Sequence, residues 1–256
     1  MMIAERHEKI MALVQKRQRV SMRTLQELLL VSVSTLRRDL EGLEQMGLIR
    51  RVHGGVELVT ESHVIQAETS WTEKRAVHAA DKRTIAKTAV HQLHGGEIIY
   101  LDAGTTTSKL IPFLGQLKPA PTVITNSVHH AAQLADLMVP VIVIGGQVKL
   151  TTNATIGAAA VEQINRLSFD VCFVGINSID QQAGITTPDL EEAAIKRAVL
   201  HQSNQRYIVA DSSKFGQTSF AKVADLDNVT IITDQLTPQQ TMQFSELTTI
   251  IQGGHS

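Results

Sequence analysis

Residues 31–55 read VSVSTLRRDLEGLEQMGLIRRVHGG. Leu36, Leu40, Leu43 and Met46 follow one another at spacings of four, three and three, which puts them on one face of a helix. Ser32 or Ser34 supplies a capping hydroxyl at its start, and Gly47 suits the position just past its end. LIRRV and VELV are short β-like runs on either side of HGG, a tight-turn sequence. Upstream, MRTLQELLL gives a shorter helix capped by Ser21. Residues 3–16 place Ile3, Ile10, Leu13 and Val14 on the stripe of a first helix.

Three short helices followed by a β-hairpin make a winged helix-turn-helix, which we place at residues 1–59. In that architecture the third helix enters the major groove with its first residues toward the bases. Here these are Ser32, Val33, Ser34 and Thr35, whose small hydroxyls permit close approach, followed by Arg37 and Arg38 for guanine edges or phosphates. The wing offers Arg50, Arg51 and His53 beside Gly54, where the backbone can approach a phosphate. Charge is distributed to match. Residues 1–57 hold 10 basic and 7 acidic residues, a net of +3, and the remainder holds 14 and 18, a net of −4. A basic head on an acidic body implies that only the head meets a polyanion, which for the winged helix-turn-helix architecture is double-stranded DNA.

VSVSTLRRDLEGLEQMGLIRRVHGG resembles the N-terminal signature of the DeoR family of bacterial transcriptional regulators, with its TIRRDL-like run and R-x-x-GG wing. Leu30 departs from that pattern, since the family often has glycine in the turn before the third helix.

Beyond the wing, residues 60–75 are polar and aperiodic and read as a linker, with the single tryptophan, Trp71, packing where it meets the next domain. From 76 to 256 strand-sized runs alternate with helical segments, the first spanning about 76–93, so the expected fold is α/β with a mostly parallel sheet. Ligands of such sheets lie beyond the carboxyl ends of the strands. EIIYLD is followed there by AGTTT, TVIT by NS, VPVIVIGG by QVK, FDVCFVG by INSID and RYIVAD by SSKFG. The candidate effector residues are therefore Asp102, Gly104, Thr105, Thr106, Thr107, Asn126, Gly145, Gly146 and Asn177, with Lys196 and Lys214 as cations. A glycine-threonine turn leading into a helix presents backbone amides to an anion.

DAGTTT, TNS, the GG after a strand and ADSSKFG resemble the sensor domain of the same family, so the resemblance runs from about residue 3 to 234. It implies a domain similar in fold to ribose-5-phosphate isomerase that recognises a phosphorylated sugar. The rival reading is an isomerase-like enzyme fused to a DNA-binding domain. Such an enzyme needs a carboxylate base. Counting back from ADSSK puts Lys196 near that position, with Glu191 and Glu192 one helical turn earlier, and GINSID retains only Asp180 of the isomerases' acidic loop. We expect no catalytic residues, cofactor or metal. His91/His94 and His129/His130 lack metal-site spacing, and the lone cysteine, Cys172, sits in a strand. No apolar run is long enough to cross a membrane. The expected protein is a cytoplasmic homodimer or homotetramer.

Overall fold

A computed structural model describes residues 3–17, 19–45, 48–52, 54–58, 65 and 70–254. The chain divides into two compact units, Met1–Ser62 and His63–Ser256.

The first unit runs α1 (Ile3–Arg17), β1 (Arg19–Ser21), α2 (Met22–Leu29), α3 (Val33–Gln45), β2 (Ile49–Val52) and β3 (Gly55–Leu58). Ser21 caps α2 by accepting from Thr24 N at 3.0 Å. Of the two candidate caps for α3 it is Ser32 that accepts, from Thr35 N at 3.2 Å. Met46 and Gly47 lie outside the described residues. Ile10, Val14, Leu25, Leu36, Leu40, Leu43, Ile49 and Val56 close into one core. The hairpin gains a third strand that the sequence does not announce, because β1 pairs antiparallel with β3 through Val20 and Val56. Three residues are too few to display a period.

The second unit runs α4 (Trp71–Ala76), α5 (Ala79–Val90), β4 (Ile98–Leu101), α6 (Ile111–Leu114), β5 (Thr122–Thr125), α7 (Val128–Asp136), β6 (Val141–Val143), β7 (Gln147–Lys149), β8 (Ala154–Ile156), α8 (Ala158–Asn165), β9 (Phe169–Gly175), β10 (Ser178–Asp180), β11 (Gly184–Thr187), α9 (Leu190–His201), β12 (Ser203–Val209), β13 (Ala221–Ala224), β14 (Thr230–Thr233), α10 (Pro238–Phe244) and β15 (Thr249–Gln252). A seven-stranded sheet has the order β15-β14-β12-β9-β4-β5-β6, every pair parallel. Its strands alternate strictly. Tyr100, Cys172, Val174 and Ile208 face one core with α8 and α9, and Ile99, Leu101, Val171, Phe173 and Val209 face the other with α5, α6 and α7. Burial on both faces explains the continuous apolar runs.

Two expectations need correction. The linker reading of 60–75 covers residues that are built into the body. Ile65 bridges Ser219, and Ser70 with Glu73 forms a capping box that starts α4. Polarity hid this helix because only Trp71 of it is buried. The single helix expected at 76–93 is α5 alone, entered through His78 in a left-handed conformation (φ 54°). Besides the large sheet, β10, β11 and β13 form an antiparallel three-stranded sheet and β7–β8 a hairpin.

Candidate functional site

In the first unit, Ser34, Arg37 and Arg38 lie on the exposed side of α3, opposite buried Leu36 and Leu40. Neither arginine has an ion-pair partner among the described residues. The Ser32, Ser34 and Thr35 hydroxyls bond one another at 2.9 Å at the helix start. Arg51 is different, for its guanidinium pairs with Glu41 at 3.3 Å and its amide donates to Glu44. Asp39, which the run RRD presents as a surface residue, is buried and accepts two bonds from Arg6 of α1, at 2.6 and 2.8 Å. His53 lies outside the described residues. The paired wing glycines do separate jobs. Gly54 has φ +83°, and a Cβ on Gly55 would lie 2.3 Å from the Val20 carbonyl oxygen of β1. Leu30 itself takes the conformation for which glycine is the usual choice (φ 54°, ψ 43°), ending α2 with its N–H on the Gln26 carbonyl.

In the second unit the carboxyl ends of β4, β5, β9 and β12 surround a cavity of about 90 Å³, room for several water molecules. Asp102, Gly104, Thr105, Thr106, Asn126, Asn177, Lys196 and Lys214 all line it. Three other candidates do not. Thr107 is fully buried and folds the loop, its hydroxyl donating to the Asp102 and Gly104 carbonyls at 2.6 and 2.8 Å. Gly145 bonds the Gln163 side chain through both its N–H and its carbonyl. Gly146 makes room for β8, since a Cβ there would lie 2.7 Å from the Ile156 carbonyl oxygen.

The amides of Gly104, Thr105 and Thr106 donate to no acceptor among the described residues, so the turn presents free N–H groups beside the cavity. Lys196 is fixed by Asp102, Nζ to Oδ2 at 2.6 Å, and both are almost fully buried. The same Oδ2 accepts from Gly175 N at 3.1 Å. The Lys214 ammonium has no hydrogen-bond or ion-pair partner among the described residues. Asn126 donates to the Thr155 carbonyl but leaves Oδ1 buried without a partner.

The cavity also holds Trp71 and Lys74 from α4, Lys82 from α5, Thr152 from the β7–β8 turn, Glu192 and Asp211, of which sequence reasoning passed over Lys74, Lys82, Thr152 and Asp211. Burial lowers the Lys74 ammonium to about 8, with Lys196, Lys214 and Lys82 adding repulsion against the attraction of Glu192. Lys82 is lowered as well, chiefly by burial, and donates to the Lys74 and Val77 carbonyls at 2.5 and 2.8 Å. In the sequence these lysines sit among other charges, and only their burial sets them apart. Four lysines thus face three carboxylates, and every carboxylate is engaged. Glu192 accepts from Lys149 and Thr152, both at 2.9 Å, and Asp211 accepts from Ser213. The cavity is arranged to receive an anion. Among the described residues no group of three or more His, Cys, Asp or Glu side chains could hold a metal ion.

Residues 6–62 match the DeoR-like helix-turn-helix domain and residues 77–235 match the DeoR C terminal sensor domain. The chain belongs to the DeoR family. It is 39% identical to the uncharacterized HTH-type transcriptional regulator FruR of Bacillus subtilis, covering 91% of each chain. It is 30% identical to the glycerol-3-phosphate regulon repressor of Escherichia coli, covering 93% of this chain and 94% of that one. The sensor domain also has a distant likeness to ribose 5-phosphate isomerase A of Methanocaldococcus jannaschii. There the TM-score is 0.41 at 17% identity, over 54% of this chain and 55% of the other, too remote to carry an argument about activity. This DeoR-family chain is therefore a DNA-binding transcriptional regulator with a sensor domain and not an enzyme. No helix among the described residues is long and apolar enough to cross a membrane.

Proposed function

We propose that this regulator represses sugar-metabolism genes in the cytoplasm, and that a phosphorylated sugar bound beside the AGTTT turn releases it from double-stranded operator DNA. The observation that carries this reading is the cavity's unmatched positive charge. Lys214 and the free amides of residues 104–106 face a space in which every carboxylate already has a partner. A phosphate ester supplies the missing acceptors, and Asn126, whose Oδ1 has no partner among the described residues, is left for a sugar hydroxyl. On the reading unit, Ser32, Ser34, Thr35, Arg37 and Arg38 address the major groove and Arg51, His53 and Gly54 the backbone. Arg51 exchanges Glu41 for phosphate at little cost, because an exposed ion pair is weak. Operators read by such helices carry two half-sites, so the working form is a homodimer or homotetramer.

The test is an operator-binding titration with a panel of sugar phosphates. Thr106→Ala with Lys214→Ala is expected to bind operator normally and to lose release by the active ester, whereas Arg37→Ala loses operator affinity with the sensor intact. Normal release from the double variant would place the effector elsewhere.

A further inference from the structure

A second basic hollow shares Trp71 with the effector cavity. It is a cleft of about 670 Å³ between α4, α5, α6 and α7. Pockets of a few hundred cubic ångströms with an apolar floor and few polar groups are the usual form of small-molecule sites. Here Phe113 and Leu137 supply apolar wall, and four cations ring it: Arg75, Arg83, Lys87 and Lys109. A single carboxylate, Asp136, opposes them.

Elsewhere in this unit Arg166 pairs with Glu162 and Lys222 with Asp225, three or four residues away. None of the four around the cleft has an ion pair or a side-chain hydrogen bond among the described residues, and Arg75 alone has a contact, over the Trp71 ring at 5.5 Å. Arg83 and Lys87 stand four residues apart on α5, a spacing at which like charges repel. This happens in a body whose acidic residues outnumber its basic ones, so partners were not scarce. Concentrated unpaired cations, a concave wall and apolar floor together fit an anionic ligand with several charged groups.

We propose that this cleft is a second ligand site, specific for a phosphorylated metabolite carrying two or more anionic groups, such as a bisphosphate or a nucleotide polyphosphate. Arg83 and Lys87 hold one anionic group, Lys109 and Arg75 another, and the apolar floor receives the body of the ligand. The site is distinct from the effector cavity and does not depend on what that cavity binds. The two share Trp71 as a wall, and α4 sends Lys74 to one and Arg75 to the other. A ligand in the cleft therefore acts on the same short helix as the effector, and any coupling is reciprocal.

The probe is inorganic triphosphate, titrated into the full chain and followed by Trp71 fluorescence and calorimetry. Saturable binding is expected, retained in Lys214→Ala and weakened about tenfold or more in Arg83→Gln with Lys87→Gln, since charge-assisted contacts to phosphate are the strong ones. Both substituted side chains are exposed, so folding is preserved and is checked by circular dichroism. Three results overturn the proposal. One is absence of saturable binding. Another is triphosphate affinity unchanged in the α5 double variant but lost in Lys214→Ala, which makes the effector cavity the only site. The third is loss of operator affinity in the α5 variant with a shallower salt dependence, which makes this face a DNA-backbone contact.

Discussion

Asp102→Asn is the substitution that most directly tests how the sensor cavity is built. Lys196 and Asp102 meet at 2.6 Å with side chains 8% and 5% exposed. Asparagine keeps the volume and can still accept from Gly175 N–H, but it strands the Lys196 ammonium in a nearly dry wall. Removing one partner of a buried pair costs about 3–5 kcal/mol, while replacing both with uncharged groups of similar size is often close to neutral. For a unit of this size that is a fall in Tm of roughly 6–20 °C. Asp102→Asn with Lys196→Met should then lie within about 1 kcal/mol of the parent protein, giving a large favourable coupling in a double-mutant cycle. Trp71 is the only tryptophan and belongs to the sensor unit, so its fluorescence in urea follows that unit without interference from the reading unit. Added phosphate should restore more stability to Asp102→Asn than to the parent, because the released ammonium gains a new partner. A single-variant loss below about 1 kcal/mol, or strict additivity in the cycle, would refute the claim that this pair is held as a unit.

Other outcomes follow from backbone and charge. Leu30→Gly removes a side chain from the left-handed region and should stabilise the reading unit by about 1 kcal/mol, read from amide exchange of α2 and α3, while Leu30→Ala gains nothing because alanine shares the strain. Lys74, lowered to about 8 by burial, attracts phosphate only when protonated. Effector affinity should therefore fall roughly eightfold between pH 7.5 and 9, where a phosphate monoester stays dianionic, and Lys74→Arg should abolish that limb. The same depression means that the unfolded chain binds the extra proton between about 8 and the ordinary lysine value, so the sensor unit should gain stability across that window as pH rises. A pH-independent affinity in the parent protein would remove Lys74 from the site.

Where the sequence was legible, a period or an end rule carried the signal. The face Leu36, Leu40 and Leu43 fixed α3, and both-sided burial made β9 and β12 conspicuous as apolar runs. The carboxyl-end rule then led from each strand to a loop, and most loops named in this way do meet at one cavity. Failures have equally local causes. Gly145 and Gly146 obey the same rule, but their glycines serve the packing of Gln163 and Ile156, which lie 10–18 residues away in sequence. Thr107 is chemically identical to Thr105 and Thr106, yet its hydroxyl turns back onto its own loop. Lys74 and Lys82 stand in WTEKRAVHAADKR, where charge density suggests a solvated face, and no pattern marks which lysine turns inward. Asp39 was misleading in the opposite sense, since its partner Arg6 lies 33 residues earlier in another helix.

The pairing of the cavity carboxylates bears on how the proposed effector site treats its ligand. Moving a proton between adjacent sugar carbons needs a base with a free lone pair. Asp102 is held through Oδ2 by Lys196 and the Gly175 amide, Glu192 through Oε1 by Lys149 and Thr152, and Asp211 through Oδ1 by Ser213, so each carboxylate is anchored by one oxygen. Lys196 stands near where counting back from ADSSK places an isomerase base, and it is paired with Asp102 at 2.6 Å, so a lysine and not a carboxylate occupies that place. Lys214 and the amides of the AGTTT turn are the donors left for an anion, and Asn126 Oδ1 is an acceptor left beside them. Groups that bind an ester equally well throughout its stay give occupancy without acceleration. Occupancy is what a regulator needs. On the proposed function, ligand contacts with α4, which contributes Trp71 and Lys74 to that cavity, would shift the chain's preference between DNA-binding and released states only through a difference in affinity for the two.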